Sequence, residues 1–524
     1  MIYQFCAPTW RTRSLLKLCF GMLCLCSVAA WAQTPSSPIE SSDPSSTPAA
    51  EATSAPESTS APEAAPPAPK AGFLKRLGRA YYQDWHPSPS SDPDPPFRGY
   101  APVTSNPPFP FTVWPIGGTV NIGQPFPITT PLMTAIYGGD SGDAWKKSRV
   151  TMYGWANVGM NFSTSSQANG KYSNAPAGYN QIPNSIQLDQ LAFYIERQPD
   201  TVQTDHFDWG FRVTHLYGLD YRFTTAKGYF SQQLLNNPKR DGSIGNKYGY
   251  DTVMLYADLY FPHVAQGLIV RAGRYISLPD VEAQLAPNNY SYTHSLLYTY
   301  DCYTQTGVNA TLKLSDHWTT QVGVSGGCDT ALWKPDAKAT VNVCAGYTWN
   351  AGGDNLYACA NSLNDSKYGY NNLAAYYLTH YHKFNEKWHS ATEGWYQYAK
   401  KVPNVNNPSA APLLQTNANG AYCKSASEVT CYAPDWAILN YTNRQIGKHD
   451  SLSLRNEYFD DIRGQRTGYK AKYSEHGLSW NHWIGTSLVF RPELRWEHSY
   501  NALSYDGGTR HSQFMFAGDM IFFF

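Results

Sequence analysis

Ile484-Gly-Thr-Ser-Leu-Val-Phe-Arg-Pro-Glu-Leu-Arg-Trp-Glu-His-Ser-Tyr500 is the stretch on which the fold turns. Side chains alternate across an extended strand. Ile484, Thr486, Leu488, Phe490, Pro492, Leu494 and Trp496 therefore share one face. Gly485, Ser487, Val489, Arg491, Glu493, Arg495 and Glu497 share the other. Phe207 to Phe223 repeats the pattern, setting Phe207, Trp209, Phe211, Val213, Tyr217, Leu219, Tyr221 and Phe223 against Asp208, Gly210, Arg212, Thr214, Gly218, Asp220 and Arg222. Soluble strands usually run about 5 or 6 residues. Amphipathic strands this long read as tilted membrane crossings in a β-barrel.

Working outward, similar segments fall at 148–163, 186–198, 206–224, 250–259, 266–275, 302–314, 317–328, 370–384, 386–400, 435–446, 450–460, 467–480, 484–500 and 511–524. They predict an all-β, antiparallel transmembrane barrel of about 14 strands over 148–524. Alternate connections are short, as periplasmic turns must be. The rest, including 276–301, 329–369 and 401–434, are mostly long and face outward. A strand-like stretch at 338–349 breaks this parity and is assigned to an outer loop. Sixteen strands is the alternative, with this stretch and one more counted in.

Composition agrees. The chain has 524 residues, 40 Lys+Arg against 40 Asp+Glu, and as large a share of aromatic as of charged residues, 15% each. Soluble domains carry roughly 25% charge. No apolar run of about 18 residues exists beyond the N-terminus, which excludes a helical membrane protein. The basic footprint of a nucleic-acid binder is missing.

Residues 1–32 read as a secretory signal: Arg11, Arg13 and Lys17, then apolar Leu18 to Ala30, then the A-x-A site Ala30-Trp31-Ala32. A lipoprotein signal is disfavoured, because Leu23 and Leu25 precede Cys24 and Cys26 where a small residue is expected. Residues 33–72 lack aromatics and repeat Ser, Thr, Ala, Pro and Glu, the composition of a disordered linker. The segment 73–147 is read as periplasmic: a short amphipathic helix near Phe73 to Tyr82, docked on the barrel or lying on the inner leaflet, then a Pro-rich stretch.

The last strand presents Phe514, Phe516, Gly518, Met520, Phe522 and Phe524 as one lipid-facing row. Such a row suits pairing of an open edge strand with the barrel-assembly machinery during biogenesis. Six cysteines remain beyond the signal: Cys302, Cys328, Cys344, Cys359, Cys423 and Cys431. Six allow 15 connectivities. The strand map favours Cys302–Cys328 at the open end of one hairpin, with Cys344–Cys359 and Cys423–Cys431 each closing an outer loop. All six are placed on the oxidising outer side.

No H-E-x-x-H, G-x-S-x-G or P-loop occurs, so no enzyme, cofactor or metal site is expected. His380-Tyr381-His382 reads as rim histidines. The inward face supplies Arg212, Arg222, Arg271, Arg455, Glu457, Lys470, Lys472, Arg491, Glu493, Arg495 and Glu497, with bases in excess. Rings of charge set ion preference in a pore. Ser277 and Asp280 can open a capping box for a short helix through Ala286. Loops as long as 276–301 are usually functional. This one is expected to fold inward and set Asp280 and Glu282 against Arg271 and the Arg491/Arg495 wall as a constriction.

In Asp208-Trp-Gly-Phe-Arg212, Gly273-Arg-Tyr-Ile276, Leu278-Pro-Asp280, Ala283-Gln-Leu-Ala-Pro-Asn288, Tyr370-Asn-Asn-Leu373, Gly464-Gln-Arg-Thr-Gly468 and Arg491-Pro-Glu-Leu-Arg495, the sequence resembles the β-barrel porin-2, OmpL-like family. The resemblance spans about 150 to 524. It implies an outer-membrane barrel with a porin role, and carries over no established substrate or catalytic site.

The reading is a Gram-negative outer-membrane, porin-like channel in contact with membrane lipid and passing small hydrophilic solutes. The alternative is a non-transporting barrel, plugged by 73–132, whose stapled loops bind a ligand or another cell surface. The sequence leaves a homo-trimer open.

Overall fold

Alternating polarity is realised as a closed cylinder in the computed structural model. Residues 71–87, 96–100, 107–110, 122–125, 130–166, 173–231, 233, 247–277, 280–363, 373–410 and 420–524 are described. The secretory signal, nearly all of the linker, and Leu278 and Pro279 lie outside them.

Among the described residues three helices precede the barrel: α1 (Phe73–Trp85), α2 (Pro131–Tyr137) and α3 (Gly142–Ser148). The strands are β1 (Val150–Ser163), β2 (Ile186–Arg197), β3 (Asp208–Gly218), β4 (Gly249–Phe261), β5 (Leu268–Ile276), β6 (Thr304–Lys313), β7 (Trp318–Cys328) and β8 (Thr340–Trp349). They continue as β9 (Asp354–Leu363), β10 (Ala374–Asn385), β11 (Trp388–Pro403), β12 (Thr430–Gln445), β13 (Asp450–Asp461), β14 (Ala471–Ile484), β15 (Leu488–Ser499) and β16 (Ser512–Phe523). Every neighbour is antiparallel, and β1 closes on β16 from Trp155↔Phe523 to Ser163↔Met515. Among the described residues two short α-helices sit in outer loops: α4 (Tyr221–Thr224) and α5 (Leu296–Thr299). Among the described residues no helix is long and apolar enough to cross a membrane.

The count is therefore sixteen. The segment 338–349 is not part of an outer loop but the strand β8, and 354–363 is its hairpin partner β9. Together they restore the parity that one extra strand had broken. Short turns join β2–β3, β4–β5, β6–β7, β8–β9, β10–β11, β12–β13 and β14–β15 at one end. That end is periplasmic by the short-turn rule.

The polarity of the wall is inverted relative to a soluble sheet. Along β15, Phe490, Leu494 and Trp496 are 38–46% exposed, while Arg491, Glu493, Arg495 and Glu497 are at most 2% exposed. Apolar residues face outward and charges face the interior, as lipid outside and protein inside require. Outward Trp209, Trp318, Phe384 and Trp480 lie toward the periplasmic end, and Tyr396, Tyr432, Trp436 and Phe514 toward the outer end. These are aromatic belts.

Pro492 stands mid-strand without an N–H to donate. The β14–β15 pairing runs Leu478↔Leu494, Ser479↔Glu493, then His482↔Phe490, skipping Trp480 and Asn481 opposite it. The β15–β16 ladder is continuous there, including Pro492↔Gly518.

β3 is shorter than its alternation suggests. It stops at Gly218, whose φ of +153° and close approach to the Asp189 carbonyl oxygen, 2.0 Å from where a Cβ would stand, leave no room for a side chain. Leu219 and Asp220 then donate N–H bonds to Leu188 O and Asp189 O, and α4 follows. Tyr221 and Phe223 are consequently buried rather than lipid-facing.

The three disulfides are Cys302–Cys328, Cys344–Cys359 and Cys423–Cys431. Cys344–Cys359 closes no outer loop. It joins directly paired residues of β8 and β9 inside the barrel wall. Four of the sulfurs are buried, whereas Cys423 and Cys431 are half-exposed. Exchange requires access to the disulfide. Reduction of the folded protein is therefore expected to open Cys423–Cys431 alone. In a chain carrying Cys6→Ser, Cys19→Ser, Cys24→Ser and Cys26→Ser, two alkylated thiols by mass are the predicted result, and six would contradict the buried placement.

Candidate functional site in the barrel lumen

The β5–β6 connection, 277–303, turns into the barrel, and its described residues are almost entirely buried. Among the described residues between Ser277 and Ala286 there is no α-helix of the kind the capping box had suggested. Ser277 Oγ instead accepts from Asn361 Nδ2 at 2.8 Å. The backbone N–H groups that a helix would use go elsewhere. Val281 donates to Glu393 (2.6 Å), Ala283 to Asn289 Oδ1 (2.7 Å) and Ala286 to Gln190 Oε1 (3.0 Å). A backbone donor satisfied by a neighbour has no reason to enter a helix. Helix appears later, at α5, where Ser295 caps the chain through Tyr298 N.

Opposite wall charges take up the rest of the loop. Glu493 accepts from Thr293 N (2.8 Å) and Thr293 Oγ1 (2.6 Å), and Glu457 accepts from Leu296 N (2.9 Å) and Leu297 N. Arg491 donates to Ala286 O and Asn289 O, both at 2.8 Å. Arg495 donates to Thr293 Oγ1 (2.8 Å) and His294 O (2.6 Å). Charge-assisted bonds of this kind are the stronger ones. Wall charges act as loop holders.

Arg455 is the hub. Its guanidinium meets Glu475 at 2.8 Å, Glu493 at 3.0 Å and the loop's Glu282 at 3.3 Å, with all four side chains at most 2% exposed. It also donates to Thr293 Oγ1 at 2.7 Å and Tyr441 Oη at 3.1 Å. Glu282 accepts from Ser295 N and Oγ. The loop also comes close to β1: a Cβ on Gly159 would stand 2.1 Å from both Asp189 Oδ2 and Tyr292 Oη.

A family comparison covers this same barrel, residues 149–524. The chain belongs to the putative beta-barrel porin-2, OmpL-like family. It is an outer-membrane protein with a porin-like fold. Structural similarity is found to an anion-selective porin of Comamonas acidovorans, with 9% identity, 72% of this chain and 99% of that one covered, and a TM-score of 0.41. The outer membrane channel DcaP of Acinetobacter baumannii gives 9%, 72%, 97% and 0.43, and OprB of Pseudomonas putida 12%, 75%, 98% and 0.41. No functionally curated protein matches the sequence.

Several expected residues of this OmpL-like barrel have other neighbours than anticipated. Arg271 does not meet the loop acids. It forms a two-point pair with Asp258 of adjacent β4, both bonds 2.8 Å, and lies 3.8 Å over the Tyr256 ring. Asp280 faces acids rather than arginine. Burial, with Asp301 and Glu393 alongside, holds its carboxyl well above the usual range. Arg212 pairs with Glu196 between the Tyr194 and Tyr256 rings. Arg222 is not on the wall but in α4. Lys470 is in an outer loop and Lys472 is exposed on the outward face, 3.9 Å from Asp460.

The interior is also not basic. Among the described residues, twenty Asp and Glu are buried against eight Lys and Arg. The surplus came from acids in positions with no sequence flag, such as Asp258 and Asp519, the latter bound to Arg491 through its Nε at 2.9 Å. Arg274, paired with Asp251 at 2.8 Å with neither side chain exposed, was missed likewise. Its inward placement breaks strict alternation with Arg271. The bulk of Cys423, Glu428 and Cys431, the one described cluster with metal-ligand spacing, includes two sulfurs already joined. His380 and His382 sit on the outward periplasmic rim, His382 paired with Asp354.

Proposed function

We propose that this OmpL-like barrel is a passive channel for small hydrophilic solutes whose conductance is set by the inward-folded loop 277–303. The observation that carries this reading is how the lumen is filled. Barrels of this strand number leave an aqueous channel, and here a loop bound through its backbone to wall charges occupies it. The acid surplus of the interior supports a preference for cations. No catalytic group enters this proposal.

The test is planar-bilayer recording of the full chain across a salt gradient. Small discrete conductance steps are expected, with a reversal potential displaced toward that of the cation. The second reading, a non-transporting barrel, is favoured by one specific observation: central inward residues such as Asn157 on β1, Arg455 on β13 and Asp519 on β16 are less than one-tenth exposed. Silent bilayers holding demonstrably folded protein would sink the channel and leave that reading standing.

A further inference from the structure

We infer that α1 is an interfacial membrane anchor, with Leu74, Tyr82 and Trp85 turned toward phospholipid acyl chains and Lys75 and Arg79 toward anionic phosphates of the same leaflet. Successive residues of a helix are 100° apart. Around α1 they therefore fall into three sectors. The first contains Arg76, Ala80, Leu77 and Asp84 and faces protein. Arg76 Nε donates to Ala135 O of α2 at 2.8 Å, and Ala80 is buried. Asp84 caps the β14–β15 turn, accepting from Thr486 N and Oγ1 and from Ser487 N and Oγ at 2.6–3.1 Å. These bonds fix the helix at the periplasmic end of the barrel.

The second sector holds Tyr81, Leu74, Trp85 and Tyr82. Tyr81 stacks on Phe522 at 5.2 Å and donates its hydroxyl to Phe523 O at 2.9 Å. Phe522 belongs to the outward row of β16, whose Phe514, Phe516 and Met520 are 38–43% exposed. The helix thus continues the lipid-facing surface of the barrel rather than standing apart from it. Leu74 is 80% exposed and Tyr82 63%. Trp85, also exposed, bonds through Nε1 to Ser487 Oγ at 2.9 Å, an amphipathic ring placed at the belt level where such rings concentrate. The third sector holds Lys75, Arg79 and Gln83, all exposed. Asp84, the one acid of the helix, is spent on the turn. An apolar edge continuous with the lipid surface, flanked by bases, is the pattern of a helix lying in an interface.

The test places a nitroxide at Leu74→Cys, Tyr82→Cys or Gln83→Cys in the full chain carrying Cys6→Ser, Cys19→Ser, Cys24→Ser and Cys26→Ser. The protein is reconstituted in vesicles of phosphatidylethanolamine and phosphatidylglycerol, and only molecules with folded gel mobility are scored. Sites 74 and 82 are expected to collide with oxygen and to be shielded from a water-soluble nickel chelate, and site 83 to show the reverse. Equal access of the chelate to sites 74 and 83 would overturn the proposal. So would shielding of site 74 from both reagents, the mark of a protein partner. Lys75→Glu with Arg79→Glu should weaken the oxygen preference at site 74 in phosphatidylglycerol vesicles and leave it unchanged in phosphatidylcholine alone. The same change in both lipids would overturn the assignment of the bases to anionic phosphates.

Discussion

Deleting residues 281–300, with a short Gly-Ser bridge in their place, is expected to raise single-channel conductance several-fold and to strengthen the preference for cations. The loop occupies the lumen at the height of Arg455, Glu493 and Glu457, which it binds through backbone atoms of Thr293, Leu296 and Leu297. Its removal opens the cylinder without cutting any strand pairing, since β5 and β6 remain bonded from Leu268↔Leu312 to Ile276↔Thr304. The inner face of β11 to β16 then presents Glu393, Asp435, Glu457, Asp461, Glu475, Glu493, Glu497 and Asp519 against Arg455, Arg491 and Arg495. A ring of that sign draws cations. The measurement is planar-bilayer recording beside the full chain, with reversal potential in a salt gradient. Conductance equal to that of the full chain would show that the loop does not limit the path.

Replacing Arg455 with Ala should lower stability by about 3–5 kcal/mol, the range for breaking a buried ion pair by removing one partner. Glu475, Glu493 and Glu282 would be left facing one another with no cation in reach of all three. Thr293 would also lose two donors. The pair itself need not be stabilising overall, because desolvation offsets much of the attraction. A discriminating control follows: Arg455→Met combined with Glu475→Gln and Glu493→Gln should recover most of the loss. Thermal unfolding in detergent, read by the shift from folded to unfolded gel mobility, checks both variants. An Arg455→Ala protein as stable as the parent would remove Arg455 from the centre of the loop's anchorage.

Much of the barrel could be read from the chain because membrane strands obey a local rule. Each residue pair along Leu488–Ser499 declares its two faces by polarity, and neighbouring segments repeat the declaration. What failed was counting where that rule weakens. Strand β8, Thr340–Trp349, and β9, Asp354–Leu363, are joined by a turn of four residues and bonded across Cys344 and Cys359, and their small, mixed side chains blur the alternation. β3 was over-extended for the opposite reason. Leu219, Tyr221 and Phe223 keep period two in sequence after Gly218 has turned the backbone out of the sheet.

Five of the lumen charges were found, but their partners were not. Arg455, Glu457, Arg491, Glu493 and Arg495 were recognisable as inward charges from their own strands. That Glu457 would hold Leu296 and Leu297, or Arg491 would hold Ala286 and Asn289, had no sequence signal, because the loop contributes amides and carbonyls that every residue carries.

The sequence by itself therefore determined the class of structure, the inverted polarity of its wall and the inward placement of Arg455, Glu457, Arg491, Glu493 and Arg495. Each of these is a property of residues two apart on one strand. Only the tertiary structure decided the closure at sixteen strands, the pairing of Arg271 with Asp258 rather than Asp280, the acid surplus of the interior and the seating of loop 277–303. Those depend on register and on contacts between residues far apart in the chain, such as Thr293 with Glu493 and Trp155 with Phe523. Local alternation carries no information about them.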